Sequence, residues 1–111
     1  LHYGAVTLDL AFRALADASR RQLLDRLHAK GGQTLGQLTA GLEMSRQAVA
    51  KHLAILEAAN LVATRRSGRE KLHYLNPVPI HEIAERWIGK YERTRLRAIA
   101  DLKKQLERSE R

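Results

Sequence analysis

Residues 45–62 read SRQAVAKHLAILEAANLV. Ser45 stands where a helix N-cap would, and Val49, Leu53 and Leu56 fall within a narrow arc at about 100° per residue. That arc predicts a helix with one buried stripe. Asn60 is suited to its C-terminal end, because asparagine tolerates the left-handed backbone conformation. Gln47, Lys51, Ala54 and Ala58 then face away from the core, flanked by Arg46 and Ala50.

Upstream, the spacing predicts three further helices. In LDLAFRAL (8–15), Leu8, Ala11, Phe12 and Leu15 share a face, with Thr7 as the N-cap. Asp17 caps a second helix, ASRRQLLDRLHAK, with Leu23, Leu24 and Leu27 as its core residues, and Gly31-Gly32 ends it. Thr34 caps a third, with Leu35, Leu38 and Leu42 as its stripe. Gly36 and Gly41 weaken that helix by roughly 1 kcal/mol each relative to alanine, so it needs tertiary support. Glu43-Met44 makes a tight connection to Ser45. Two helices joined by so short a link, the second opened by a capping serine, describe a helix-turn-helix.

Downstream, LVATRR (61–66) and KLHYLN (71–76) flank SGRE (67–70). Alternating strands that carry Val62, Leu72, Tyr74 and Leu75 on either side of a Ser-Gly turn predict a β-hairpin. The fold class is therefore mainly α with a small β-hairpin, a winged helix-turn-helix. After Pro77 and Pro79 the pattern is helical almost to the end, about 29 residues and about 43 Å. Its apolar residues run Ile80, Ile83, Trp87, Tyr91, Ala98, Leu102 and Leu106. A stripe that outreaches its own domain predicts a long C-terminal dimerisation helix paired with a second copy. The expected organisation is one domain over 1–111, with a winged-helix core at 7–76 and the dimerisation helix at 80–108. The expected homodimer interface comprises Leu8, Phe12, Ile80, Ile83, Trp87, Tyr91 and Leu102. The chain begins at Leu1, which leads us to expect further native sequence before it.

The 111 residues carry 20 Lys+Arg against 12 Asp+Glu, a net charge of +8. The excess is uneven: +1 over residues 1–44, +4 over 45–76 and +3 over 77–111. The most one-sided third surrounds the helix of 45–59 and the hairpin, and such an excess attracts polyanions, nucleic acid first. With no cysteine, disulfides, thiolate metal sites and thiol nucleophiles are excluded. No apolar run approaches the roughly 20 residues of a membrane span, so the expected localisation is cytoplasmic with no membrane partner. No Ser-His-Asp grouping, phosphate-cradling loop or paired acid cluster is present, and the chain is not expected to be an enzyme.

The outward face of 45–59 fits a duplex. The major groove is about 12 Å wide, and small residues such as Ala50 and Ala54 let a helix sit deep in it. Gln47 matches the edge of adenine, and Arg46 or Lys51 the N7 and O6 of guanine. Ser45 and the free N–H groups of the first turn suit a phosphate. His52, beside the buried arc, suits a hydrogen bond within the fold or to a phosphate. Arg65, Arg66, Arg69 and Lys71 give the wing a cationic tip around Gly68, fit for a phosphate backbone or a narrow minor groove. Arg20 and Arg21 are expected to serve packing and surface pairing.

FRALADASRRQLLDRL, the run Ser45-x-x-x-Val49-x-x-His52-Leu53-x-x-Leu56, the wing Arg66-x-Gly68-Arg69 and the long terminal helix together resemble the ArsR family of winged-helix transcriptional repressors, over roughly residues 8–95. The resemblance implies a homodimer paired through its first and last helices, a pseudo-palindromic double-stranded DNA operator, and repression. Many members of that family sense metal through a Cys-x-Cys pair at the third helix. The corresponding positions here are Thr34 and Gly36, neither a soft ligand. On the last helix His81 and Glu85 stand at i and i+4, two ligands where a tetrahedral zinc site needs four. The resemblance is therefore to a metal-blind branch, with no metal site, no cofactor and no identified inducer ligand. A winged helix that binds an acidic protein, or a metal-responsive repressor with its site on the C-terminal helix, are the alternatives to a sequence-specific DNA-binding repressor.

Overall fold

The computed structural model describes residues 5–109. By its own contacts the chain divides into two compact units, one up to Ile80 and one from His81 onward.

The first unit opens with helices α1 (Ala5–Leu15) and α2 (Ala18–Ala29), followed by α3 (Leu35–Thr39) and α4 (Arg46–Ala58). A hairpin of β1 (Val62–Ser67) and β2 (Glu70–Leu75) completes it. Three starts are set by side-chain caps. Asp17 Oδ1 accepts from the Arg20 amide at 3.1 Å, and Ser45 Oγ from the Ala48 amide at 3.1 Å. Thr34 forms a reciprocal capping box with Gln37. The fourth start differs from expectation: α1 is already helical at Ala5, so Thr7 lies inside it rather than capping it.

The third helix is shorter than its apolar spacing implies. It ends at Thr39, and Leu42 lies beyond it, half-buried. Two features stop it. Gly41 adopts φ +81, a left-handed conformation that a glycine takes without steric cost. The Arg26 guanidinium donates to the carbonyls of Leu38 at 2.9 Å and Ala40 at 2.7 Å, satisfying acceptors that another helical turn would have used. A side chain at 41 would also meet Arg26, since a Cβ built there lies 2.9 Å from its Nη2. The link from α3 to α4 is therefore residues 40–45, longer than the tight Glu43-Met44 connection expected from the sequence.

The core joins all these elements. Leu8, Ala11, Ala14, Leu23, Leu24, Leu27, Leu38, Val49, Leu53, Leu56, Leu61 and Val62 are buried. α4 touches α1, α2, α3 and β1, so its buried stripe is the hub. Its C-terminus is closed by a Schellman arrangement. Asn60 takes φ +61, its amide bonds to the Glu57 carbonyl at 3.0 Å, and the Leu61 amide bonds to the Leu56 carbonyl at 2.9 Å. Leu56 and Leu61, which this geometry brings together, are both fully buried. Asn76 then ties the far end of the hairpin back to the same turn: its Nδ2 donates to the Asn60 carbonyl at 2.8 Å, and its amide to the Leu61 carbonyl at 2.9 Å.

The hairpin pairs Val62 with Leu75 through Ser67 with Glu70. Its two-residue loop has Gly68 at φ +61 first and Arg69 second, the glycine placement of a type II′ turn. A third strand position, not visible in the sequence, is the antiparallel bridge between Gln33 and His73. His73 is 4% exposed and its Nδ1 lies 2.9 Å from the Gln33 carbonyl. A histidine on the inner face of the wing is thus a packed structural group. Gly31 permits that approach, because a Cβ there would lie 3.0 Å from the Tyr74 ring.

The second unit is helical. α5 (Val78–Ile83), whose first three residues belong to the first unit, leads into a π-helical stretch, Ala84–Gly89, and then α6 (Lys90–Ser109). The wider turn interrupts what the sequence presents as one uniform α-helix.

Asn60 sits in a conformation that costs a β-branched residue about 1–2 kcal/mol. The expected outcome is that Asn60→Val lowers the urea-unfolding free energy by about that amount while Asn60→Gly leaves it nearly unchanged.

Candidate nucleic-acid interface

Burial of Val49, Leu53 and Leu56 fixes the rotation of α4 about its axis. The opposite face is thereby presented: Gln47, Lys51, Ala54 and Ala58 lie across the helix from that stripe, Arg46 and Ala50 flank them, and all six are exposed. The strip combines a hydrogen-bonding amide, two cations and methyl-sized side chains, and a convex helix of that kind can approach a surface closely. Ser45 Oγ is committed to the Ala48 amide. What the helix start offers an anion is therefore the amides of Arg46 and Gln47, which no preceding helical carbonyl can accept.

His52 is half-buried, its Nδ1 3.4 Å from Arg20 Nη1. Arg20 is a structural hub. Its Nε donates to the Ala14 carbonyl at 2.8 Å and its Nη2 to the Arg13 carbonyl at 3.0 Å, closing the end of α1, and Asp17 stands 3.9 Å away. Arg21 likewise donates to the Leu15 carbonyl at 2.6 Å. Both arginines serve packing, as the near-neutral first third of the chain implies. The Asp17 carboxyl is held below its ordinary pKa. The main cause is the Arg20 amide it accepts from; burial opposes the shift, and the charges of Arg20 and His52 add to it.

On the wing, Arg65, Arg66 and Arg69 are exposed. Lys71 is not a free cation: its Nζ lies 3.1 Å from Glu57 Oε1 and 3.4 Å from Oε2. Glu57, on α4, is a residue that sequence reasoning missed. Its partner is 14 positions away, and no local pattern announces it. The pair bridges the recognition-type helix and the wing. Between α3, α4 and the hairpin lies an open cleft of about 490 Å3, lined by Thr34, Leu35, Arg46, Ala50, Glu57, Arg69 and Lys71 among others. The cleft brings Arg46 of the helix and Arg69 of the turn to one space, where Glu57 and Glu70 also line the wall.

Of the residues expected at a subunit interface, Leu8 is buried within the chain and Phe12 is 43% exposed. Ile83 and Trp87 are half-buried. Ile80 is exposed, and so are Tyr91 at 65% and Leu102 at 56%. Thr34 and Gly36 are respectively a helix cap and an exposed glycine. Among the described residues no group of three or more His, Cys, Asp or Glu side chains is placed to hold a metal. Nor is any described helix long and apolar enough to cross a membrane.

A helix-turn-helix domain model matches residues 15–65. The uncharacterized HTH-type transcriptional regulator YuzN of Bacillus subtilis is 38% identical over 86 residues, covering 72% of this chain and 94% of that protein. The transcriptional repressor SdpR of the same organism is 32% identical over 72 residues, covering 64% of this chain and 78% of that protein. An ArsR-like transcriptional regulator from Rhodococcus sp. RHA1 superposes with a TM-score of 0.72 at 32% identity, covering 90% of this chain and 93% of that one.

With Lys71 neutralised by Glu57, the wing arginines carry the free charge. Lys71→Ala is expected to lower affinity for a duplex at low salt much less than Arg69→Ala. Electrophoretic mobility shift of both variants on one DNA fragment checks this, and equal losses would contradict it.

Proposed function

From the premise that the chain belongs to the ArsR family of winged helix-turn-helix transcriptional regulators, and is a DNA-binding regulator, we propose that it acts as a homodimeric repressor on a pseudo-palindromic operator. The observation that carries this reading is the exposed strip Arg46, Gln47, Ala50, Lys51 on α4, beside a cleft shared with Arg69 of the wing. In this reading residues 7–76 form the DNA-binding core and 80–108 the dimerisation helix. Two copies of α4 enter successive major grooves about 34 Å apart. Gln47 reads adenine, and Arg46 and Lys51 read guanine, by bidentate pairing with base edges. Ser45 and His52 stand at the groove edge near the backbone. Arg65, Arg66 and Arg69 hold phosphates or enter the minor groove, giving affinity that falls steeply with salt.

In this reading repression comes from occupancy, since a dimer covering two adjacent grooves excludes another protein from that stretch. SdpR, a repressor of similar sequence, supports this direction. The family's thiolate positions carry Thr34 and Gly36, which favours a regulator that does not respond to soft metals. We take the protein to be a non-enzymatic cytoplasmic regulator.

The test uses the region upstream of the gene, searched for an inverted repeat with half-sites about one DNA turn apart. By fluorescence anisotropy at fixed salt, Gln47→Ala and Lys51→Ala are each expected to cost about 1–3 kcal/mol on that repeat and little on random duplex. Arg69→Ala is expected to weaken both and to reduce the salt slope by about one. Equal affinity of all three variants and the parent chain for the repeat would overturn the assignment.

A further inference from the structure

We infer that the π-helical stretch Ala84–Gly89 is a phase shifter: its wide turn brings Ile83 into line with the apolar stripe of α6, making one continuous docking face for a second copy of this chain. The inference rests on the homodimer reading above and specifies which surface that dimer uses.

In an unbroken α-helix residues advance about 100° each. Ile83 and Leu102 stand 19 positions apart, which would leave them about 100° out of line. Ile83 and Leu106, 23 positions apart, would be about 140° out of line. On such a helix Ile83 points away from the stripe. A π turn closes its hydrogen bonds from i to i+5 rather than i+4 and so takes up one extra residue. One extra residue absorbed between Ala84 and Gly89 removes about 100° from each offset, leaving Ile83 in line with Leu102 and about 40° from Leu106.

The realigned face is exposed within the chain at Tyr91, Ile99, Leu102 and Leu106. From Ile83 to Leu106, with one residue absorbed, it runs about 33 Å, a length that suits a second helix of the same kind. The two edges of the stripe favour a copy of the chain over a polyanion or an anionic membrane, because each carries both signs: Glu92 with Lys103 on one side, Asp101 with Lys90 and Arg108 on the other, while Arg93, Arg97 and Lys104 lie on the opposite face. Arg95 falls within the stripe, where a long stem covers apolar surface while its charged head reaches the edge.

The chain has no cysteine, so single thiols can report on burial. Ile83→Cys and Leu102→Cys are made separately in the 111-residue chain, and maleimide labelling rates are compared between concentrated and dilute protein. Both thiols are expected to be slowed about tenfold or more on concentration. Deleting the exposed Arg86 removes the extra residue. With circular dichroism confirming that the variant is helical and folded, its dimer is expected to be about tenfold weaker by sedimentation equilibrium. Ile83→Cys in that background is expected to label at the dilute rate even under concentrated conditions.

Protection of Leu102→Cys without protection of Ile83→Cys in the chain without the deletion would overturn the phase shift while leaving the dimer reading intact. The phase shift is equally overturned if the Arg86 deletion dimerises as tightly as the parent with Ile83→Cys still protected. If neither thiol is protected and Leu102→Glu leaves the sedimentation behaviour unchanged, the dimer face itself is wrong.

Discussion

Everything functional in the first unit depends on burying one stripe of α4. Val49, Leu53 and Leu56 are each at most 2% exposed, and full burial of such side chains contributes about 1.5–3 kcal/mol apiece. No polar contact on that helix approaches their sum, so the stripe decides which way the helix is turned. A rotation of one residue's worth would hide Gln47 or Lys51 and expose a leucine. The Schellman closure at Asn60 and Leu61 adds a second constraint, because it fixes where the chain leaves the helix and hence where the hairpin begins. Asn76 then fastens the end of the hairpin to that turn. Helix and wing are thereby held as one surface rather than as two independently mobile pieces.

Electrostatics on that surface is more selective than a charge count implies. Of the four wing cations, Lys71 is paired with Glu57 at 3.1 Å. Their side chains are 44% and 29% exposed, so the bond is screened and adds little to stability. Its consequence is geometric: it lays Lys71 against α4 and leaves Arg65, Arg66 and Arg69 projecting. The arginines suit the task of meeting an anion, since a guanidinium offers a planar fork of donors to phosphate or guanine. Arg20 and Arg26 show the converse use. Each places its donors on backbone carbonyls at helix ends and holds the fold together inside a basic protein.

Local signals in the sequence were sufficient for most elements. The caps at Asp17, Thr34 and Ser45 are read from residue type and spacing, as are the buried leucines of α2 and α4 and the Gly68 turn, and the structure contains each of them. Features made by residues far apart in the chain were illegible. The stop of α3 requires Arg26, 12 positions before the carbonyl of Leu38. The Gln33–His73 bridge spans 40 positions, and the Glu57–Lys71 pair joins two elements that periodicity treats separately. The π stretch escaped for a different reason: a helical-wheel reading assumes one constant angle per residue, and it cannot register the single place where that angle changes. The α4 side of the candidate interface was legible because it is the complement of a buried stripe, whereas the pairing of Lys71 was not.

The central claim is that the outward face of α4 and the tip of the wing together meet a duplex. The most direct measurement is a 1H–15N NMR titration of the isotopically labelled chain with a short B-form duplex at low salt. The account predicts that the largest amide shifts fall at Arg46, Gln47, Ala50 and Lys51 and at Arg65 through Arg69. Shifts concentrated in α6, with the α4 amides unmoved, would contradict it.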